Sequence, residues 1–427
     1  LEEIPLIFSV AQFGAIPDDG INDLPALRKA MDSLRGKPGI TLHFPPGNYD
    51  IRDEKAVQLM NAVMNGEMGN NPEKAIFRPY FEYIKGLDFA DIENLTVEAF
   101  GAELIVDGWM EPVSLESCRK VTLKGLTIDY KRAPYSIGTI INIQHEYFDV
   151  EFAPQYPIHP NMPIPRITIW DTKTDRMFGN CLYPERNEVV APQILRIYAS
   201  APESARGQMA LCNHSFHFRP AILIQEAEDI TLEKVTIHSQ PGMGIVGHRS
   251  KNLTFQNLRV IPRAGSVMST NTDATHFTSC SGFIHFEGCQ FEGQGDDSTN
   301  IHNYYYSVSR PENIKTSSEK KTYEITVDAP TGTHSQVLDY PDPGDLLELV
   351  EAESLRVIET YKVASVKNDP QGWKSQIVLD RELPGPPEDY YLINITRLPS
   401  VRFINCQVRS HRARAILIKT RDVLIEG

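Results

Sequence analysis

Three aspartates in one stretch of this 427-residue chain have the types and spacing to do chemistry. The segment NTDATHFTSCSGFIHFEGCQFEGQGDDSTNIH (Asn271 to His302) holds Asp273 in an Asn-Thr-Asp step and the pair Asp296 and Asp297 in a Gly-Asp-Asp step. The first and last are 297 − 273 = 24 residues apart. Carboxylates that share a site cannot all ionise freely, so one keeps a proton toward neutral pH. A protonated acid beside a charged base is what glycoside hydrolysis requires: the acid protonates the leaving oxygen and the base activates water. If the anomeric centre is inverted, the two carboxyl groups are expected about 6.5–9.5 Å apart. That chemistry needs a fold that makes 24 residues a short distance.

Internal repetition supplies one. An alternating apolar pattern with a small or polar fifth residue recurs as VTLKGLTI (Val121 to Ile128), ITLEKVTI (Ile230 to Ile237), LTFQNLRV (Leu253 to Val260), IHFEGCQF (Ile284 to Phe291) and VRFINCQV (Val401 to Val408). Alternation at period two is a strand signal, and Gly, Asn or Lys at the fifth position suits a bend between two short strands. The start-to-start intervals are 230 − 121 = 109, 253 − 230 = 23, 284 − 253 = 31 and 401 − 284 = 117. The short ones match one coil of a parallel β-helix. The long ones exceed a coil by roughly eighty to ninety residues, the size of a small inserted domain. Both contain further strand patterns, TIINIQHEYFDVEF (Thr139 to Phe152) in one, YEITVD (Tyr323 to Asp328) and SQIVLD (Ser375 to Asp380) in the other. Proline-rich links such as APQYPIHPNMPIP (Ala153 to Pro165) disfavour helices there.

The expected fold is therefore all-β: a right-handed parallel β-helix with an N-terminal capping helix and two inserted small β-barrel-like domains. DLPALRKAMDSL (Asp23 to Leu34) reads as the amphipathic helix that closes an open stack of strand edges, and TLHFPPGNYDI (Thr41 to Ile51) as a strand, a turn and a strand. The expected divisions are 1–130 for the capped first coils, 131–212 for one insertion, 213–302 for the coils bearing the aspartates, 303–395 for the second insertion and 396–427 for a further coil. DVLIEG (Asp422 to Gly427) starts a sixth copy and stops within it, so either the polypeptide is expected to continue or another chain is expected to contribute the last coils.

In such a solenoid, residues one coil apart lie about 4.7–4.9 Å from each other. Asp297 falls six after Phe291 and Arg414 six after Val408, while His248, His302 and Lys419 each fall eleven after Ile237, Phe291 and Val408. Matching NTDATHF to GDDSTNI sets Asp273 over Asp297 and His276 over Asn300. One face is then expected to carry three catalytic carboxylates, Asp273, Asp296 and Asp297, bordered by His248, His276, Asn300, His302, Arg414 and Lys419 as substrate-binding candidates. For the histidines, sugar binding and a stacked ladder both remain open. Cys289 and Cys406 share a repeat position and read as a packed ladder.

Composition narrows the partners. The formal net charge is −14, from 42 basic and 56 acidic side chains, which disfavours nucleic acid and anionic membranes as partners. No apolar run reaches the eighteen or so residues of a membrane helix. The six cysteines show no CxxC spacing, so a zinc site is not expected. The start at Leu1 without Met fits removal of a signal peptide or a trimmed chain.

NTD, then GDD one coil later, then Arg and Lys on the next, resembles the polygalacturonase class of β-helix hydrolases. The wording TNTDATHFTSCSGFIHFEGCQFEGQGDDSTNIH (Thr270 to His302) is closer still to glycoside hydrolase family 110, the inverting exo-α-1,3-galactosidases that remove terminal galactose from blood-group-B-type glycans. That resemblance implies Asp296 as general acid, Asp273 and Asp297 activating water, no metal, no organic cofactor, and an exported, periplasmic or extracellular bacterial enzyme whose partner is a terminal α-galactoside glycan. The polygalacturonase pattern instead has Gly-His-Gly after the acidic pair and a tight Arg-x-Lys. Here GHR (Gly247 to Arg249) precedes NTD, and Arg414 and Lys419 are five apart, which favours a neutral galactoside over an acidic sugar. Two alternatives stay open, a polygalacturonase-like hydrolase of acidic polysaccharide and a non-catalytic glycan-binding β-helix. The insertions are expected to shape the rim of the site or a subunit contact, and a homodimer is left open.

Overall fold

The computed structural model describes residues 6–37, 39–78, 81–312, 320–327, 339–369 and 374–427. Three parallel sheets of nine, seven and seven strands form the body. The five repeat copies are successive rungs of the nine-stranded sheet and pair in register: Val121 with Ile230, Ile230 with Leu253, Leu253 with Ile284, and Ile284 with Val401. The two long intervals thus vanish in space, and the sixth copy joins through Val401 and Val423. The fifth residue of every copy, Gly125, Lys234, Asn257, Gly288 and Asn405, has a positive φ between 49° and 75°. That left-handed turn directs each chain from the first sheet into the second, and Gly and Asn tolerate it best.

The third repeat position points inward and stacks between coils. Phe255 and Phe286 lie 4.9 Å apart at an interplanar angle of 18°, and Phe286 meets Phe403 at 5.2 Å. The expected helix forms over Leu24–Leu34, with Pro in its first turn, and buries Leu24, Leu27, Ala30, Met31 and Leu34 in the same core. A second helix, Glu54–Met64, was not read from the sequence; Asp53 caps it by accepting from the Lys55 N–H.

Two antiparallel units depart from the solenoid. The second is a closed barrel of six strands, Tyr305–Ser309, Thr322–Val327, Lys374–Leu379, Val357–Asp369, Leu346–Glu351 and Tyr390–Asn394 in pairing order. The first differs from the expected barrel. It is a seven-stranded sheet from Tyr135 to Asn213 whose edge strands, Arg176–Leu182 and Arg186–Ala191, do not pair with each other among the described residues. Its apolar face is covered instead by Tyr156, Met162 and Ile164 of the proline-rich link, and by Met64 and Met268 from outside the sheet. A face already covered has no need of closure.

Candidate active site

The third parallel sheet carries the site. Its strands Ile245–His248, Thr275–Thr278, Thr299–His302 and Ile416–Ile418 pair so that Val246, His276, Asn300 and Leu417 form one column. A second column runs through His248, Thr278 and His302. Phe277 and Ile301 enter the core, so the alternate residues His276, Thr278, Asn300 and His302 face out. Asp273 and Asp297 occupy the turns just before their strands, tied by the Ala274 N–H to Asp297 O at 3.0 Å and the Asp297 N–H to Asp273 Oδ1 at 3.2 Å.

The three aspartates converge: one carboxylate oxygen from each lies within 4.8 Å of the others. This spacing of nearest oxygens arises because Asp273 and Asp297 sit on adjacent rungs and Asp296 on the same turn as Asp297. No water fits on the line between them. A water beside that line does fit, since two hydrogen bonds of about 2.8 Å can span up to roughly 5.6 Å.

Each carboxyl has its own surroundings. Asp297 Oδ1 accepts from the Arg414 backbone N–H at 2.9 Å and its Nε–H at 2.8 Å, and Asn300 Nδ2 donates to Oδ2 at 3.4 Å. Asp273 meets His276 Nδ1 at 2.6 Å. Asp296 has Arg412 Nη1 at 3.5 Å and is the most open, with 21% of its side chain exposed against 7% and 1% for Asp273 and Asp297. Burial, reinforced by the Asp297 charge, pushes the Asp273 carboxyl up to about 7. Burial and the neighbouring Asp273 also raise Asp296, against the pull of Arg412.

Of the other residues expected here, His276 and His302 meet directly, Nε2 to Nε2 at 3.0 Å. Lys419 follows the strand paired with Thr299–His302, its N–H donating to Ile301 O at 2.7 Å, and its charge acts on His302. His248 stands further off: it is buried, its Nδ1 faces Thr278 Oγ1 at 2.7 Å, and burial lowers its pKa to about 4. The largest charges acting on it belong to Asp339, Arg249, Arg397 and His302.

Several site residues escaped the sequence reading. Arg166, from the first antiparallel sheet, is 3% exposed; its Nε and Nη2 donate to Asn213 Oδ1, and Nη2 also donates to Asn271 O at 2.9 Å. The Phe216 ring covers its guanidinium at 3.7 Å, and burial with nearby Arg412 pushes it down to about 10. Asn271 Nδ2 in turn donates to Pro134 O and Ser215 O, at the two ends of the insertion. Arg412 Nε donates to Cys181 Sγ at 2.7 Å. His217, stacked on Phe77 at 4.9 Å and paired with Glu73 at 3.0 Å, completes the wall. The alternation of aromatic and basic residues in SFHFRP (Ser215 to Pro220), where the chain returns to the solenoid, was the available signal.

Three convergent carboxylates are also donors suited to a hard divalent cation. Arg412, Arg414 and His276 already engage one aspartate each, and two guanidinium charges oppose a cation at that spot. A cavity of about 510 Å³ lined by Lys55, Phe81, Tyr83, Lys85 and Trp109 lies among the first coils, away from the aspartates. None of the described helices is long and apolar enough to cross a membrane.

Fold and site together define a class, a three-sheet parallel β-helix with three carboxylates converging at the edge of its third sheet. Within it, the resemblance read from NTD and GDD is borne out by curated relatives over nearly the whole chain. The chain is 27% identical to alpha-1,3-galactosidase B of Bacteroides thetaiotaomicron, over 99% of its own length and 69% of the relative's. It is 26% identical to alpha-1,3-galactosidase A of Shewanella woodyi, covering 98% and 70%, and 25% identical to alpha-1,3-galactosidase A of Bacteroides fragilis, covering 98% and 70%. No family model matches the chain. Among solved structures, the family 28 exopolygalacturonase of Yersinia enterocolitica aligns over 70% of this chain and 45% of its own, at 15% identity and a TM-score of 0.34, too low to carry an argument.

Proposed function

We propose that the chain is a glycoside hydrolase that removes terminal α-1,3-linked galactose with inversion of the anomeric centre. The observation that carries this reading is the convergence of Asp273, Asp296 and Asp297 within 4.8 Å. The galactose and its linkage come from the named relatives, and inversion from the family resemblance. Asp296, the most open carboxyl, is the general acid that protonates the leaving oxygen. Asp273 and Asp297 grip the water that attacks the anomeric carbon.

The short separation supports in-line displacement once both carboxyl groups flank the reaction axis on one side. A water poised about 3–3.5 Å from the anomeric carbon, opposite a C–O bond of about 1.4 Å, lies roughly 4.5–5 Å from the leaving oxygen. Carboxylates within 4.8 Å of each other can reach both atoms at once. Arg414 holds Asp297 in its position as acceptor, and Arg412 orients Asp296.

Proton NMR of the hydrolysis of a terminal α-1,3-galactoside tests the proposal. β-Galactose should appear first and mutarotate later. First appearance of α-galactose would sink inversion while leaving the hydrolase, and release of galacturonic acid but not galactose from matched substrates would favour the polygalacturonase-like alternative.

A further inference from the structure

Asp273, His276, His302 and Asn303 form an unbroken hydrogen-bonded chain whose last member, with both imidazoles neutral, fixes the direction of every bond. A carbonyl oxygen only accepts, so the 3.1 Å contact of His302 Nδ1 with Asn303 O puts the hydrogen on Nδ1. A neutral imidazole carries one N–H, which leaves His302 Nε2 an acceptor. His276 Nε2, 3.0 Å away, is then the donor. His276 Nδ1 is left an acceptor, and its partner at 2.6 Å, Asp273 Oδ2, must bring the hydrogen. Burial disfavours charge on both imidazoles, reinforced at His276 by His302, His217 and Arg414 and at His302 by Lys419.

We propose that His276 and His302 are a two-imidazole proton wire that keeps Asp273 protonated in the resting site and carries its proton off when the carboxylate must serve as a base. The transfer is balanced within the chain. The Asp273 O–H bond breaks as Nδ1–H forms on His276, and the His276 Nε2–H bond breaks as Nε2–H forms on His302. A carboxylate and an imidazolium remain, with no net change in charge and no co-reactant. The two histidines are therefore positioning residues for a proton, rather than contacts for sugar hydroxyls.

The other charges facing the wire set its bias. Asp297, Arg414 and His217 act on Asp273, and Arg414 and His217 also act on His276. At the outer end Lys419 opposes an imidazolium on His302, while Asp339 favours one. The negative Asp297 beside Asp273 and the positive Lys419 beside His302 both favour the resting arrangement.

The consequence for turnover rests on the hydrolase reading, but the protonation state does not, so infrared difference spectroscopy without substrate tests it. Near pH 6 the unaltered chain should show the carbonyl stretch of a buried protonated carboxyl that Asp273→Asn removes. His302→Leu deletes the acceptor, frees His276 to donate to Asp273, and should move the midpoint of that band down by about one pH unit or more. His302→Gln, whose side-chain carbonyl can still accept, should restore it. Absence of an Asp273-dependent band in the unaltered chain overturns the proposal even if the histidine variants fail to fold. So does an equal midpoint in the Leu and Gln variants. A normal band without galactoside hydrolysis would instead overturn the proposed function and leave the wire standing.

Discussion

At the scale of single residues, the three aspartates differ in exposure and partners, and the roles proposed for them follow those differences. Asp296 reaches furthest toward solvent, so Asp296→Asn is expected to lower kcat roughly 10²–10⁴-fold, the contribution of general acid catalysis. The loss should shrink for a dinitrophenyl galactoside, whose leaving group needs no proton. Steady-state kinetics on both substrates checks this, and an equal loss on both would remove Asp296 from the acid role. Asp273 carries a pH signature. Its pKa is raised in the folded chain, so its contribution to stability is complete below about pH 4 and is lost as pH rises through about 7. Thermal melts from pH 4 to 8 should show the unaltered chain falling relative to Asp273→Asn across that window and running parallel above it.

At the scale of elements, Arg166 and Asn271 bolt the first insertion to the NTD turn, and the GDD turn packs against them through the Gly295 N–H donating to Thr270 O. Gly295 is where this brace is tightest. A Cβ there would stand 2.2 Å from Asn271 O and 2.8 Å from Arg166 Nη2, closer than real Cβ atoms come. Gly295→Ala must therefore shift the GDD turn relative to the NTD turn. Displacements of about an ångström cost on the order of 10²-fold in rate, so kcat/KM should fall by that order while the circular dichroism of the β-helix is retained. Unchanged activity would mean the spacing of the turns is less restrictive than their hydrogen bonds imply. The repeat strands were legible because period-two alternation and a bend residue are local signals. Arg166, Arg412 and His217 were not, because they arrive from an antiparallel sheet, an irregular turn and a re-entry loop that share no register with the repeat. The helix Glu54–Met64 has a weaker signature: of its apolar residues only Ala56, Val63 and Met64 are buried, and they are divided between two separate cores.

For the whole molecule, the barrel is anchored to the solenoid by a buried charge cluster. Asp339 meets Arg249 Nη1 at 3.4 Å and accepts from Ser279 at 2.9 Å and Tyr306 at 2.8 Å; Arg249 also reaches Asp342, which Arg397 shares. Breaking a buried pair by removing one partner strands the other charge, so Arg249→Met should cost about 3 kcal/mol. Chemical denaturation at neutral pH measures it, and a loss indistinguishable from zero would show that the two hydroxyls suffice for Asp339. The first insertion is thus fastened at the turns that hold the aspartates, through Arg166 and Asn271, and the barrel at the opposite end of the same strands, where Arg249 and Ser279 follow His248 and Thr278.

The amino-acid order alone determined the rungs, the bends and the superposition of NTD on GDD, because a solenoid converts a repeat interval directly into a neighbour in space. Only the tertiary structure decided how far apart the carboxyls stand, which of them faces solvent, and which arginines and histidines surround them. Those depend on two inserted units whose contacts are made across more than a hundred residues, as Arg166 and Asn271 do, and no local pattern encodes such a contact.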